Sequence, residues 1–397
     1  MDRLQLCNAT SWLSMPIPHH NCRLLNSVRF RYRYIYSNIG EIDLLDQHKG
    51  VGYLSSRRYL NDLMSITIKD VAAAARVGVG SVSRVLSGSA SVSHAKRCRV
   101  EEEVARLNYV PNNLAGALSS RRSGIVAIIV PTLEQSIFAE TVDGAESEFN
   151  AHGLQVMVGQ AKYDLEREAA LVKTFLKLRP EGLILTGSNH LPLVHDLLRT
   201  SGTPVAECWG RTENPIGISV GFDNRSAARE IVTHLIERGR RNIAMLCAPR
   251  AFDPRLYQRI EGYEEALKLA GLPPRVHDRI DGSSTYSGFH QSGKVLDEIL
   301  KHHPETDAIF CSDDFNAVGA LFRCQQRGIW VPNELAIAGF VDLPIASGIT
   351  PAVTTVRVPR WEIGATAARH LVAMAQGEPI TQAVIDLGYE IVVRETT

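Results

Sequence analysis

The sequence predicts an α/β protein in which a small all-helical domain precedes a core of two lobes, each built on a parallel sheet. Residues 67–110 carry helical periodicity, and from residue 124 short apolar runs alternate with amphipathic helical segments. That alternation is typical of parallel sheets covered by helices. The runs are too many for one modest sheet, so two lobes with a cleft between them are expected.

The composition is that of an ordinary globular protein and excludes several classes. Of 397 residues, 45% are hydrophobic and 22% are charged, and 43 Lys and Arg balance 43 Asp and Glu. There is no apolar run of membrane-spanning length and no signal-peptide core at the N-terminus. The seven cysteines are odd in number and contain no CxxC pair. A cytoplasmic protein without membrane association is therefore predicted.

Residues 67–88, TIKDVAAAARVGVGSVSRVLSG, predict two short helices joined by a tight turn. Thr67 can cap the first helix, and Asp70 stands three residues later, where a carboxylate favours the positive helix end. Each helix has one apolar face. The apolar positions are Val71, Ala72, Ala75, Val82, Val85 and Leu86.

The second helix leaves Ser81, Ser83 and Arg84 pointing outward near its start. An arginine there can hydrogen-bond a guanine edge with two parallel bonds in the major groove, while small hydroxyls suit phosphate contacts. A third helix, opened by Ser93 and closed before Pro111, would complete a minimal DNA-binding domain. The alternative is an ordinary helical hairpin with a solvated polar face.

Positive charge is concentrated in this part of the chain. Between Met64 and Ser123 there are nine basic and four acidic residues, although the whole chain has formal net charge zero. A local surplus of this kind favours attraction of phosphates by one domain.

The sequence resembles the LacI/GalR family of bacterial transcriptional regulators through DVA at 70–72, SVSRVL at 81–86 and LNYVPN at 107–112. The resemblance implies a helix-turn-helix domain over 64–112, a hinge over 113–124, and a two-lobed periplasmic-binding-protein-like core over 125–397. It also implies a homodimer on double-stranded operator DNA, with Leu118 wedged into the minor groove. A plain linker is the alternative for the hinge.

Two positions depart from the family pattern, since Arg76 stands where glycine is usual and Gly78 where a Ser or Thr cap is usual. Val79 and Gly80 occupy the positions most used for base discrimination and offer little hydrogen bonding, so Arg84 is expected to carry most direct readout. The predicted DNA contacts are Thr67, Lys69, Val79, Gly80, Ser81, Ser83, Arg84, Ser93, Asn112 and Leu118.

Residues 1–63 show neither a helical nor a strand period, with clusters such as RFRYRYIY and PIPHH. Met64 immediately precedes the first helical pattern. An N-terminal extension that is disordered, or that reflects a misassigned start, is therefore expected. A basic arm that assists DNA binding is the alternative.

An effector is expected in the loops that follow the strands, because ligands of parallel sheets bind beyond their carboxyl ends. The candidates are Thr132, Phe138, Ser188, Arg255, Arg259, Ser283 and Asp314. The resemblance makes Arg259 and Asp314 effector contacts, whereas Arg255 could equally be a solvated charge at a helix start. A guanidinium binds a carboxylate with two parallel hydrogen bonds, and an aspartate accepts hydrogen bonds from hydroxyl groups, so a polyhydroxy acid fits this set.

Several phrases, including PTLEQSIFAE, VGFDN, AIAGF and DLGYE, look like the gluconate-utilisation repressors within the family. Gluconate or a related sugar acid is therefore the expected effector, with a neutral or phosphorylated sugar as the alternative. Repression that the effector relieves is the first expectation for the mechanism, and DNA binding enhanced by a corepressor is the second.

The resemblance also places three crossings between the lobes, near residues 240, 350 and 378.

Catalysis is the competing class of function. The sequence holds no HExxH, GxxxxGK[ST] or GxSxG motif and no Cys-His zinc spacing, so no enzyme activity, cofactor or metal is predicted. The adjacent Asp313 and Asp314 are weak evidence for a metal site. A solute-binding protein is the better rival, since its core would look identical, but it would not need the helical domain.

Overall fold

The computed structural model describes residues 66–89, 91–110, 123–133, 137–247, 253–278 and 288–397. It divides into two compact units, one ending at Tyr109 and the other beginning at Val110. They are called the head and the core below. The predicted extension over 1–63, most of the predicted hinge over 113–124, and the predicted site residues Asn112, Leu118 and Ser283 lie outside the described residues.

The head consists of helices α1 (Ile68–Ala74), α2 (Val79–Leu86) and α3 (His94–Arg106). One apolar side of each helix meets the others in a small shared core. Its buried members are Val71, Ala72, Ala75, Val82, Val85 and Val100. These are the positions that helical spacing places on the inner faces, and the three-helix head predicted from the sequence is confirmed.

The first lobe of the core, called the N-lobe, is a six-stranded parallel sheet in the order β11-β5-β4-β3-β1-β2. Its strands are β1 (Ile125–Val130), β2 (Gln155–Gln160), β3 (Leu183–Thr186), β4 (Val205–Cys208), β5 (Ile218–Gly221) and β11 (Val384–Asp386). The helices of this lobe are α4 (Ala139–Ala151), α5 (Leu165–Leu176), α6 (Pro192–Ser201) and α12 (Arg360–Ala375). Strand β1 is apolar at every position because helices cover both faces of the sheet.

The second lobe, called the C-lobe, has a four-stranded parallel sheet in the order β7-β6-β8-β9. These strands are β6 (Ile243–Cys247), β7 (Val276–Asp278), β8 (Ala308–Cys311) and β9 (Ala336–Ala338). Its helices are α7 (Asn224–Glu237), α8 (Pro254–Leu269), α9 (Gly288–His302), α10 (Asp314–Arg327) and α11 (Pro344–Gly348). An antiparallel pair, β10 (Thr355–Arg357) and β12 (Glu390–Val392), completes the core.

Within the described residues, the chain passes between the lobes at 222–223, between 341 and 359, and at 387–389. The crossing expected near 350 is confirmed, but those expected near 240 and 378 are displaced. Helix α7 packs against α8 of the C-lobe, so the chain has already left the N-lobe before this helix begins. Strand β11 pairs with β5 in the N-lobe, so the last crossing follows it.

Helices α4 and α12 of the N-lobe pack closely enough that their backbones nearly touch. A Cβ added at Gly364 would collide with the Thr141 carbonyl, and one added at Gly144 would collide with the Trp361 carbonyl. The absence of side chains at these two positions is what permits the approach.

Five cysteines lie in the described residues, and all are free thiols. Cys208, Cys247, Cys311 and Cys324 are buried in the core, whereas Cys98 on α3 of the head is half-buried. Burial raises the pKa of Cys208 and of Cys311 far above the ordinary range, and that of Cys324 to about 12. None of the described helices is both long and apolar enough to cross a membrane.

Candidate functional site

The first helix of the head begins with a reciprocal capping box between Thr67 and Asp70. The Asp70 carboxylate accepts from the Thr67 backbone amide at 2.7 Å and from the Thr67 hydroxyl at 2.6 Å. The hydroxyl bond and then the backbone bond lower the pKa of Asp70, so the carboxylate stays charged at the positive end of the helix. The capping of the first helix predicted for Thr67 and Asp70 is confirmed.

Helix α2 turns Val82 and Val85 inward and leaves its other face to solvent. Val79, Gly80, Ser83 and Arg84 are exposed and Ser81 is half-buried. The Nε of Arg84 donates to the Gly80 carbonyl, one turn earlier, at 3.0 Å. This bond holds the guanidinium along the N-terminal part of α2, the part that enters the major groove in helix-turn-helix proteins.

The remaining predicted DNA contacts of the head that the structure describes are also accessible. Thr67 and Lys69 are exposed at the start of α1, and Ser93 is exposed where it precedes α3. The turn between α1 and α2 contains Arg76 with φ of 52°, so arginine occupies a left-handed conformation where the family pattern has glycine.

A cleft of about 660 Å³, including space continuous with solvent, opens beyond the carboxyl ends of the N-lobe strands. Its wall includes Ser188 and Arg255 from the predicted effector set. The other polar lining groups come from the loop after β2, from α5, from the end of β3 and the loop after it, and from the start of α8. They are Tyr163, Asp164, Glu168, Thr186, Asn189, Asp253 and Gln258.

Arg255 stands between an acid and two aromatic rings. Its Nε and Nη2 each donate to the Asp253 carboxylate at 2.8 Å. Its guanidinium carbon lies 5.3 Å from the Phe138 ring centroid and 5.8 Å from that of Trp209. Phe138 and Trp209 pack edge to face at 4.9 Å. Arg255 comes from the C-lobe and the rings from the N-lobe, so this cluster joins the two walls of the cleft.

Trp209 was not among the predicted site residues. The sequence signal was the VAECWG run, in which a tryptophan directly follows an apolar strand. Predicted residues Thr132 and Phe138 are buried, and Phe138 contributes to the site through its ring contact with Arg255.

Arg259 is buried and engaged with the framework behind the cleft. It donates to Asn224 Oδ1 at 2.9 Å and to the Ser312 carbonyl at 2.7 Å, and its guanidinium lies 4.0 Å from the Phe340 ring centroid. It is not among the residues lining the described cleft, whereas Arg255 is. Arg255 and Arg259 are both buried, at 6% and 7% exposure, and the effector role expected of each stays a prediction.

Asp314, the other effector contact that the resemblance implies, is held by hydrogen bonds within the C-lobe. It is fully buried at the start of α10, and its two oxygens accept from the Thr355 hydroxyl and from the Leu343 amide. Burial raises its pKa to about 7. In this arrangement of the lobes the carboxylate holds the ends of three C-lobe segments together, and its role as an effector contact stays a prediction.

A further group that sequence reasoning missed lies in the N-lobe wall. The His190 Nδ1 lies 2.6 Å from Glu168 Oε1, and its Nε2 lies 3.5 Å from Glu207 Oε1. All three side chains are buried. No motif signals this cluster, because its members stand 22 and 17 positions apart and meet only through the sheet.

Both parts of the chain match known domain families. Residues 67–112 match the model described as bacterial regulatory proteins, lacI family, and residues 232–397 match a periplasmic binding protein-like domain. The chain is 36% identical to the HTH-type transcriptional regulator GntR of Escherichia coli K12 over 325 residues, covering 82% of this chain and 96% of the relative. It is 33% identical to GntR of Pseudomonas aeruginosa, covering 83% and 95%.

Solved structures agree with these matches. A LacI-family transcriptional regulator from Silicibacter pomeroyi superposes with a TM-score of 0.78 at 30% identity, covering 83% of this chain and 99% of that one. Transcription regulator GntR from Chromobacterium violaceum gives 0.65 at 35% identity, covering 68% and 98%. These relatives are transcriptional regulators and not enzymes. With its helix-turn-helix head and two-lobed core, the chain belongs to the LacI family of DNA-binding transcriptional regulators.

Proposed function

We propose that the protein represses genes for the catabolism of a sugar acid of the gluconate type and leaves its operator when that acid binds. The observation that carries the proposal is the cleft, which combines Arg255 with several hydroxyl and amide groups. A guanidinium binds a carboxylate with two parallel hydrogen bonds, and uncharged polar groups suit a polyol chain. The resemblance of the sequence to gluconate-utilisation repressors points to the same ligand.

Asp253 must be considered in this proposal because it holds Arg255 by two hydrogen bonds. A ligand carboxylate would share or replace this partner at the guanidinium. Because Arg255 also lies against N-lobe rings, a ligand at this position touches both lobes and can favour one arrangement of them over the other.

The proposed mechanism couples two sites. Head residues 64–112 contact operator DNA, residues 113–124 act as the hinge with Leu118 in the minor groove, and core 125–397 binds the effector and dimerises in the cytoplasm. An effector that prefers the arrangement incompatible with ordered hinges lowers operator affinity, and such coupling is typically about 1–3 kcal/mol, or roughly 5- to 150-fold. Corepression is the second possibility, with the opposite sign.

A mobility-shift assay tests the proposal on duplex DNA from upstream of the chain's own and neighbouring genes. We expect retardation that gluconate reverses, and a thermal-shift screen over sugar acids, neutral sugars and sugar phosphates should rank gluconate first. No retardation of any such duplex at low salt, with or without these compounds, would contradict the proposal. Selective stabilisation by a neutral sugar or by a sugar phosphate would show that the effector belongs to that class and is not a sugar acid.

At the residue level, Arg84→Ala is expected to abolish preference for the operator while weak binding to unrelated DNA persists. Arg84 is the exposed α2 side chain able to read a guanine edge, whereas phosphate contacts elsewhere on the head are retained. Arg99→Ala is the matched control, because it removes the same charge from an exposed position on α3. Equal losses on operator and unrelated DNA in Arg84→Ala would contradict this role.

A further inference from the structure

The buried cluster of Glu168, His190 and Glu207 lies directly behind the cleft. Glu168 stands on α5, His190 in the loop after β3, and Glu207 on β4. The His190 ring has no exposed surface, and the two glutamate side chains are 8% and 3% exposed. Three separate elements of the N-lobe thus fix the position of one imidazole between two carboxylates.

The cluster is anchored at its inner end and charged at its centre. Glu207 Oε2 accepts from the Ile216 backbone amide at 2.6 Å, which fixes that carboxylate. Burial opposes the charge on His190, but the hydrogen bond to Glu168 and the proximity of the Glu207 carboxylate outweigh it and raise the pKa of His190 to about 9. The His190 ring lies against both carboxylates and fixes their positions relative to one another.

Glu168 is the member of the cluster that reaches the cleft. It lines the same cavity as Thr186, Ser188 and Arg255. Within the described residues, its carboxylate has one hydrogen-bond partner, His190 at Oε1, and Oε2 has none. A carboxylate oxygen at the edge of a cleft without a protein donor is free to accept from water or from a ligand. Glu168 therefore offers an oriented anionic acceptor to whatever occupies the cleft.

We propose that Glu168 is the specificity-determining group of the cleft, accepting ligand hydroxyls and excluding a second carboxylate, with His190 and Glu207 as its positioning residues. The inference rests on the proposed function, because it requires a sugar-type ligand in this cleft. Hydroxyl groups donate charge-assisted hydrogen bonds to the carboxylate. A carboxylate brought to the same place meets like charge.

Arg255 and Glu168 together fix the orientation of the ligand in the cleft. Arg255 attracts the single carboxylate of an aldonic acid, and Glu168 receives hydroxyls further along its chain. A six-carbon diacid keeps the internal hydroxyls but has a second carboxylate in place of the terminal hydroxyl, so one charged end cannot be placed favourably beside Glu168. The site should accept sugar monoacids and reject the corresponding diacids.

Isothermal titration of the full-length protein with gluconate and with glucarate tests this specificity. The wild type should bind gluconate at least tenfold more tightly than glucarate. Glu168→Gln should weaken gluconate binding by about 10- to 100-fold, since hydrogen bonds to charged groups contribute about 1.5–3 kcal/mol. The same substitution should narrow the preference over glucarate, because the repelling charge is gone.

Glu166→Gln is the matched control. It makes the same chemical change two residues away on α5, where the side chain is exposed to solvent. Binding of both acids should be unchanged in this variant. Melting curves of each variant separate loss of affinity from loss of fold.

The positioning role of His190 has its own readout. If His190 acts through Glu168, His190→Asn should weaken gluconate binding but add little further loss in a Glu168→Gln background. A residue with only a structural role would give additive losses in this double-mutant cycle. Glu207→Gln serves the same cycle if His190→Asn does not fold.

Two results would overturn the inference while leaving the proposed function intact: gluconate binding by Glu168→Gln that equals the wild type, or a wild type that prefers glucarate. Failure of the wild type to bind any sugar acid is a different result, which removes the proposed effector and this inference with it.

Discussion

Arg76 occupies a backbone conformation that is unfavourable for its residue type. Its φ of 52° places it in the left-handed region, which costs an L-residue other than glycine roughly 1–2 kcal/mol. Gly78, two residues later, stands at the N-cap of α2 and has no side chain to cap the first turn of this helix. The turn that positions the DNA-reading helix is therefore less stable than the sequence pattern of the family would make it.

Arg76→Gly is expected to stabilise α1 and α2 by about 1 kcal/mol, because relief of strain exceeds the extra chain entropy of glycine. Amide hydrogen exchange in these helices should slow by roughly fivefold. Arg76→Lys retains both strain and charge and should give no slowing. Equal exchange in the two variants would show that the turn is not strained.

His190 makes the stability of the core dependent on pH. Its pKa is about 9 in the folded chain and 6.5 in the unfolded chain, so the folded state binds the proton more tightly. The resulting stabilisation is complete below pH 6.5 and is lost as pH rises through 9. Asp314, whose pKa burial raises to about 7, also favours the folded state at lower pH, over the lower range from its ordinary 3.8 to 7.

For His190→Asn we expect urea unfolding to lose most of its pH dependence between pH 6.5 and 9. In the wild type this interval should cost the core of the order of 3 kcal/mol, from the difference in pKa. His152→Asn, at an exposed position on the N-lobe, should behave like the wild type. A wild-type free energy of unfolding that stays level or rises over the interval would contradict the assignment.

At the scale of elements, the N-lobe depends on the close approach of α4 and α12. Thr141 on α4 donates from its hydroxyl to the Arg360 carbonyl at 2.8 Å, and it accepts from the Trp209 indole at 3.1 Å. The ring of Trp209 contacts Arg255 in the cleft. The helix pair therefore supports one wall of the cleft.

Gly364→Ala is expected to destabilise the core by about 1–3 kcal/mol, because its methyl group would push α12 away from the Thr141 carbonyl. On an open helical surface the same change would stabilise by about 1 kcal/mol, so the sign is informative. Chemical denaturation measures it, with Glu362→Ala on the exposed face as the control. A stabilised Gly364→Ala variant would mean that the two helices are not in contact.

The sequence predicted which segments are helices and strands better than it predicted which lobe each one joins. Apolar periodicity depends on local burial, and α7 has the same inward stripe whichever sheet it covers. The rule that ligands bind beyond strand ends singled out Ser188 and Arg255, and both line the cleft wall. The same rule could not reveal Trp209 or the Glu168–His190–Glu207 cluster, because these side chains meet only when separate elements pack together. It also could not reveal that the Asp314 carboxylate accepts hydrogen bonds from Thr355 and Leu343.

At the scale of the whole molecule, the coupling between operator and effector must be reciprocal. If gluconate lowers operator affinity by some factor, operator DNA lowers gluconate affinity by the same factor. Titration of each ligand in the presence and absence of the other should give equal ratios, between roughly 5 and 150. Unequal ratios would mean that the two ligands do not act on one equilibrium.

Light scattering should give about twice the chain mass of 43.7 kDa, because two heads reading a near-palindrome require a dimer. The measurement should be made with and without operator DNA. A monomer that still discriminates its operator would contradict this assembly, as would a tetramer.

The distribution of thiols allows a fluorescent dye to be attached to the head of this regulator at one cysteine. The four core cysteines are enclosed, and Cys98 on α3 is the accessible one among the described residues. Replacement of Cys7 and Cys22, which precede the described residues, would leave Cys98 as the reactive position for a maleimide dye at neutral pH. A fluorophore there would sit on the head itself, and its anisotropy would follow capture and release of the operator in real time.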